Sequence, residues 1–279
     1  MKPSEQKIYG INACLAFSKS APDKVVRAYC TTTQQKKLGF LLKYLAQQKR
    51  AYHIVTEAEL AKLSGSEHHE GVLLLIERPA LLSEQELFEQ LAAGQPKAPE
   101  CVLCLDGVSN PHNLGSIART AAHFGVQRIA LFNLNNDQLK ALVSGAYHRT
   151  AEGGAVHIHL YEIREPLIFL QRLRREFAFT VAATSSHVKS SPLNNTTLPG
   201  RLALVMGSEN DGVSPKLIEE SQLKLCINGT GHVESLNVAS ATAILLNEYS
   251  RQTQRKKEPV LSAKPTFAGR PEGRKRRGS

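Results

Sequence analysis

Apolar and polar positions alternate along the first eighty residues in short stretches of two kinds. Lys24-Val25-Val26-Arg27-Ala28-Tyr29-Cys30 is rich in β-branched and aromatic residues and reads as a strand. Between Thr33 and Arg50, Leu38, Leu41, Leu42 and Leu45 recur at helical spacing. Thr56 stands ahead of Glu57-Ala58-Glu59-Leu60-Ala61-Lys62-Leu63, an N-cap followed by acids in a first turn. Gly71-Val72-Leu73-Leu74-Leu75-Ile76 is a continuous apolar run, the pattern of a strand covered on both faces. A small α/β domain over residues 1–78 accounts for all four.

Residues 79–99 read as a connector with a short helix. Ser83-Glu84-Gln85-Glu86 has capping-box spacing, the helix runs through Leu91, and Gly94 and Pro96 stop it between Pro79 and Pro99. From residue 100 the pattern changes to repeated strands and helices, with apolar strands at Val102–Leu105, Arg128–Phe132, Phe179–Ala183, Leu202–Met206 and Leu223–Ile227. That rhythm predicts a mainly parallel sheet covered by helices. The first strand leads into Asp106-Gly107-Val108-Ser109-Asn110-Pro111-His112-Asn113, which is not the glycine-rich turn of a dinucleotide-binding fold.

Three segments of this second region carry the candidate chemistry. In Asn113-Leu114-Gly115-Ser116-Ile117-Ala118-Arg119, a helix of ~100° per residue puts Ile117, Ala118, Ala121 and Phe124 on the side of Leu114. Arg119 leaves that stripe together with Ser116 and His123. In Gly207-Ser208-Glu209-Asn210-Asp211-Gly212, a turn follows the strand ending at Met206; Gly207 permits close backbone approach, and Glu209 is the polar group. In Ser235-Leu236-Asn237-Val238-Ala239, Ser235 or Asn237 caps a helix that is apolar nearly all round and so buried.

The order and separation of these segments resemble the three motifs of the SpoU (TrmH) family, RNA ribose 2'-O-methyltransferases that use S-adenosyl-L-methionine. The resemblance implies an α/β methyltransferase domain of the SPOUT class over residues 100–250, its C-terminal end threaded into a deep trefoil knot. It further implies that Met206, Gly207, Ile227 and Leu236 hold the cofactor. Arg119 becomes the activating group, Glu209 orders the loop and orients substrate, and Asn113, Ser235 and Asn237 position by hydrogen bonds. Because relatives bring the arginine to the cofactor pocket across a dimer interface, a homodimer follows. Asn228 stands where relatives commonly carry proline. Ile8-Tyr9-Gly10-Ile11-Asn12-Ala13 and His69-Glu70-Gly71-Val72 resemble the family's N-terminal substrate-binding domain, L30e-like in fold. That makes residues 1–78 an RNA-recognising module, with Lys36, Lys37, Lys43, Lys49 and Arg50 either meeting phosphates or lying on a solvated helix face.

Composition modifies this picture in three places. The 279 residues are comfortable for two domains, and no apolar run approaches the roughly 18–20 residues of a membrane span. The N-terminus lacks the apolar stretch of a secretory signal, which predicts cytoplasmic residence. The formal net charge of +10 is concentrated in residues 251–279, which hold ten basic and two acidic groups and read as a disordered basic tail, either solubilising or phosphate-binding. Five cysteines argue against a disulfide framework, and Cys101-x-x-Cys104 lies within a buried strand without a zinc-spaced partner, so no metal is predicted. His157 and His159 read as surface residues on a strand face, His68-His69 as an exposed turn, and His112 as a candidate RNA-binding group beside the first motif. The expected partner is tRNA or rRNA. The rival reading is a non-catalytic RNA-binding or ribosome-assembly protein that keeps the fold.

Overall fold

Strands and helices follow the two sequence regimes and build two sheets. The computed structural model describes residues 5–95, 98–185 and 190–254. The first sheet comes from β1 (Glu5–Tyr9), α1 (Ile11–Ser20), β2 (Val25–Cys30), α2 (Thr32–Gln35), α3 (Gly39–Gln47), β3 (Tyr52–Ile54), α4 (Glu57–Ser64) and β4 (Val72–Glu77). Its order is β1-β4-β2-β3, with β4 antiparallel to both neighbours and β3 parallel to β2.

The second sheet comes from β5 (Leu82–Ser83), α5 (Glu84–Ala93), β6 (Glu100–Asp106), α6 (Pro111–His123), β7 (Arg128–Phe132), α7 (Asn136–Leu142), α8 (Gly145–Ala151), β8 (His159–Ile163), α9 (Pro166–Phe177), β9 (Thr180–Thr184), β10 (Ser191–Pro192), β11 (Arg201–Gly207), α10 (Pro215–Glu220), β12 (Leu223–Cys226) and α11 (Val238–Gln254). Its order is β10-β12-β9-β11-β6-β7-β8-β5, and every pairing is parallel. One face packs beneath α6, α8 and α11 through Leu105, Ile117, Leu204 and Leu245. The other packs on α5, α9 and α10 through Phe88, Phe169, Val205 and Leu217. Burial on both faces is why these strands read as unbroken apolar runs.

The capping box predicted at Ser83 forms, and the N-cap predicted at Thr56 is a capping box too. Thr56 Oγ1 accepts from the Glu59 N–H at 3.3 Å while the Glu59 carboxylate accepts from Thr56 N–H at 2.8 Å, and Ser83 and Glu86 repeat the exchange. The stretch 79–99 does more than connect, because β5 pairs with β8 and Leu87, Phe88 and Leu91 are buried in the second core; Pro96 lies outside the described residues. The helix predicted from Thr33 to Arg50 divides into α2 and α3 at Lys36–Leu38. Instead of being buried all round, α11 leaves Ser240, Ile244 and Asn247 exposed on one face and continues to Gln254. The predicted tail from residue 255 lies outside the described residues.

The two sheets are joined through the edge strand β1. The Gln6 side-chain amide donates to the Leu142 carbonyl at 3.1 Å and meets buried His148 Nε2 at 2.6 Å. Gly145, at the start of α8, lies so close to Tyr9 that an added Cβ would stand 1.9 Å from the ring.

Candidate active site

The strand order reverses direction at β6 and β11, the place in a parallel sheet where loops separate and leave a crevice. Loops leaving β9, β11 and β12 enclose a cavity of about 270 Å³ there, lined by Met206, Gly207, Glu209, Ile227, Ser235 and Leu236 among others. Six of the nine predicted site residues thus converge on one hollow, although they span thirty positions of chain.

Close backbone crossing makes the loop after β11. A Cβ added to Gly207 would stand 1.9 Å from the carbonyl carbon of Gly212, so the loop can fold back over the strand end only at glycine. Gly212 itself takes φ +68° and donates to the Ser208 carbonyl at 3.0 Å. The crossing partner of Gly207 is therefore its own loop. Asp106, in register with Gly207, fixes the exit: its Oδ2 accepts from Ser214 N–H at 2.9 Å. Sequence reasoning passed over Asp106; the available signal was a lone carboxylate at the end of an apolar strand.

Asn237 ties the three motifs together. Its Nδ2 donates to Asn113 Oδ1 at 3.0 Å, a residue 124 positions earlier, and also to the Glu209 carboxylate. Its Oδ1 accepts from Ala239 N–H at 2.9 Å and Ser240 N–H at 3.3 Å, capping α11. Of the two predicted caps, Asn237 is the one used, while Ser235 faces the cavity.

Arg119 stands elsewhere. Asn110 caps α6 through the N–H groups of His112 and Asn113, and Gly115 lets the helix approach α8, where a Cβ would meet the Tyr147 carbonyl oxygen at 2.6 Å. Gly154 presses on the Arg119 backbone, where a Cβ would stand 2.8 Å from the Arg119 Cα. The Arg119 side chain leaves the apolar stripe as predicted, is mostly exposed, and pairs with Glu152 at 2.9 Å. It is not among the cavity's lining residues. An ion pair between two exposed side chains is worth only about 0–1 kcal/mol, so it exchanges readily for another anion. His112, two turns back on the same helix face, has Nδ1 3.2 Å from Thr150 Oγ1.

The charge inside the cavity is one-sided. Glu209, Asp211 and Glu234 line it, and no Lys, Arg or His does among the described residues. A larger cavity of about 480 Å³ lies at the junction of the sheets, lined by Leu81, Leu142, Tyr147 and Ile158, but it contains no motif residue. The motif residues gather at the smaller one.

Other predicted candidates are placed as follows. Cys101 and Cys104 are buried and burial pushes both thiols up; among the described residues no His/Cys/Asp/Glu group is arranged to hold a metal. His157 lies in a single 3-10 turn, not on a strand, and His159 opens β8. The exposed turn expected at His68-His69 holds only for His68: His69 is buried, and its Nδ1 accepts from Gly71 N–H at 3.1 Å. Among the described residues, no helix is long and apolar enough to cross a membrane.

Known proteins resemble this chain in sequence and fold. The model described as the SpoU rRNA Methylase family matches residues 100–247. The chain belongs to the SpoU rRNA methylase family. A second model, described as RNA 2'-O ribose methyltransferase substrate binding, matches residues 7–82 of this SpoU chain. The uncharacterized tRNA/rRNA methyltransferase YfiF of Escherichia coli O157:H7 is 38% identical over 253 residues, covering 91% of this chain and 70% of the relative. The 23S rRNA (guanosine-2'-O-)-methyltransferase RlmB of Pasteurella multocida is 32% identical, over 88% of this chain and 98% of its own. The solved AdoMet-bound rRNA methyltransferase of Sinorhizobium meliloti shares the fold, with a TM-score of 0.68 at 22% identity over 89% of this chain and 87% of that one.

Proposed function

We propose that this SpoU chain transfers a methyl group from S-adenosyl-L-methionine to a ribose 2'-hydroxyl of rRNA or tRNA. The observation that carries the reading is the hydrogen-bonded junction of Asn113, Glu209 and Asn237 at the edge of a cavity lined by carboxylates and, among the described residues, by no cation. Such a lining suits a ligand with positive charge, as a sulfonium has, and Met206, Ile227 and Leu236 offer apolar surface to an adenine ring. When bound, the cofactor supplies an electrophilic methyl group with a neutral thioether as leaving group.

The chain's own residues then aim the oxygen and stabilise the charge it develops, while its proton leaves to solvent water as the new C–O bond forms. Asn113, Glu209, Ser235 and Asn237 hold the ribose by hydrogen bonds, which fixes the in-line approach. A guanidinium with pKa above about 12 does not accept a proton at neutral pH. Arg119 acts instead as a cation, exchanging Glu152 for a phosphate and stabilising the developing alkoxide. Since Arg119 lies outside its own chain's cavity, the site is completed by a second copy, and the exposed Ser240-Ile244-Asn247 face of α11 beside the cavity is available for that contact. The trefoil threading of the C-terminal end, an RNA-recognising role for residues 1–78 and cytoplasmic residence belong to the same reading.

Calorimetry with S-adenosyl-L-methionine tests it. One binding event per chain is expected. A folded dimer that takes up none would favour the non-catalytic RNA-binding protein.

A further inference from the structure

The N-terminal sheet has one covered and one half-open face. Ile8, Ala28, Leu74 and Ile76 point into the core shared with α1 and α3. On the other face, Leu60 and Leu63 of α4 pack over Tyr9, Leu73 and Tyr29 at one end only. Beyond that end lies a groove of about 470 Å³ lined by Lys7, Arg27, Tyr29 and Leu75, with Glu5 as its one carboxylate among the described residues.

Two features give this groove a chemistry. Tyr29 stacks on His53 across the β2–β3 pair, with ring centroids 5.2 Å apart and planes 19° apart, and His53 is exposed. The cations beside it are held by uncharged oxygens: Arg27 Nη1 donates to the Tyr29 hydroxyl at 3.2 Å, and Lys7 Nζ donates to the Leu63 carbonyl. Neither charge is neutralised by those bonds. Glu77, the other acid on this face, is engaged by Lys24 at 3.4 Å.

An exposed histidine ring stacked on a half-buried tyrosine, beside two cations that outnumber the groove's one carboxylate, matches single-stranded RNA, whose unpaired bases stack on rings while phosphates meet cations. A duplex hides its base faces and gains nothing from the rings. The groove also points toward the chemistry, because Tyr9 at its covered end abuts Gly145, and α8 runs from there to Glu152, the partner of Arg119. We infer that this sheet face is a platform for unpaired nucleotides of the RNA substrate, with His53 and Tyr29 taking a base and Lys7 and Arg27 taking phosphates. The inference rests on the proposed RNA reading and names the surface that serves it.

Fluorescence anisotropy of the full chain with a labelled oligouridylate, and with an RNA duplex of equal length, tests the platform. His53→Ala weakens single-strand binding by roughly tenfold, the size of one base stack removed, without changing duplex affinity or salt slope. Replacing Lys7 and Arg27 together by alanine lowers the slope of log affinity against log salt by about 0.7 for each phosphate no longer neutralised. S-adenosyl-L-methionine binding by the same variants stays at the wild-type value, which reports that they are folded. Wild-type single-strand affinity and salt slope in both variants would overturn the platform whether or not the protein methylates RNA. Failure of the wild-type chain to bind S-adenosyl-L-methionine would instead strike the methyltransferase reading and leave the platform standing.

Discussion

Asn237 does two jobs with the two ends of one amide, and substitutions separate them. The oxygen caps α11 and the nitrogen joins Asn113 to Glu209. Asn237→Ala loses both, costing about 1 kcal/mol for the cap, or about 2–4 °C in Tm for a chain of this size. Its methyl transfer falls by about 100-fold, the scale of losing one positioned donor. Asn237→Asp keeps a capping oxygen but sets a carboxylate against Glu209, so thermal melting recovers while transfer stays low. Recovery of transfer in Asn237→Asp would reduce the residue to a helix cap. Arg119→Ala separates chemistry from cofactor affinity in another way. Transfer should be lost, with calorimetric affinity for S-adenosyl-L-methionine within about a factor of two, because the proposed partners of the guanidinium are the RNA phosphate and the developing alkoxide and not the cofactor.

Elements were legible in proportion to the local signal they carry. Thr56 and Ser83 announced helices because a cap is written within four residues, and the run from Val72 to Ile76 announced a strand because its five side chains are all buried and apolar. β5, β10 and β3 have two or three residues each and no readable period. His69 looked polar and exposed because its burial depends on α4 and the Gly71 amide, which are tertiary facts. The motifs carried the site's membership, but not the reason for Gly207, whose crossing partner Gly212 appears only once the loop is folded. Glycine substitutions test that reason. Gly207→Ala forces backbone atoms apart at the cavity and should abolish cofactor binding, with a loss of stability of about 1–3 kcal/mol. Gly39→Ala, where an added Cβ meets nothing within 4 Å, should leave binding unchanged and stabilise α3 by about 0.5–1 kcal/mol. Equal behaviour of the two variants in calorimetry and urea unfolding would contradict the crossing argument.

At the scale of the molecule, the join between the sheets is acid-sensitive. Burial holds the His148 imidazole down at about 4, against 6.5 when solvated, and its Nε2 accepts from the Gln6 amide only when neutral. The unfolded chain therefore binds more protons than the folded one between these values. This contribution is complete above pH 6.5 and is lost as pH falls toward 4; at full extent it is about 3 kcal/mol. His148→Gln should flatten the fall of urea-unfolding stability across that window, and an unchanged fall would place the acid sensitivity elsewhere. The same scale holds the central claim, that residues from three distant motifs form a site for ribose methylation. The direct measurement is transfer from methyl-labelled S-adenosyl-L-methionine to ribosomal RNA, followed by alkaline hydrolysis, since a methylated 2'-oxygen cannot attack the adjacent phosphate. The account predicts label in alkali-resistant dinucleotides, absent with Arg119→Ala. Label released entirely in mononucleotides, as base methylation would give, would contradict it.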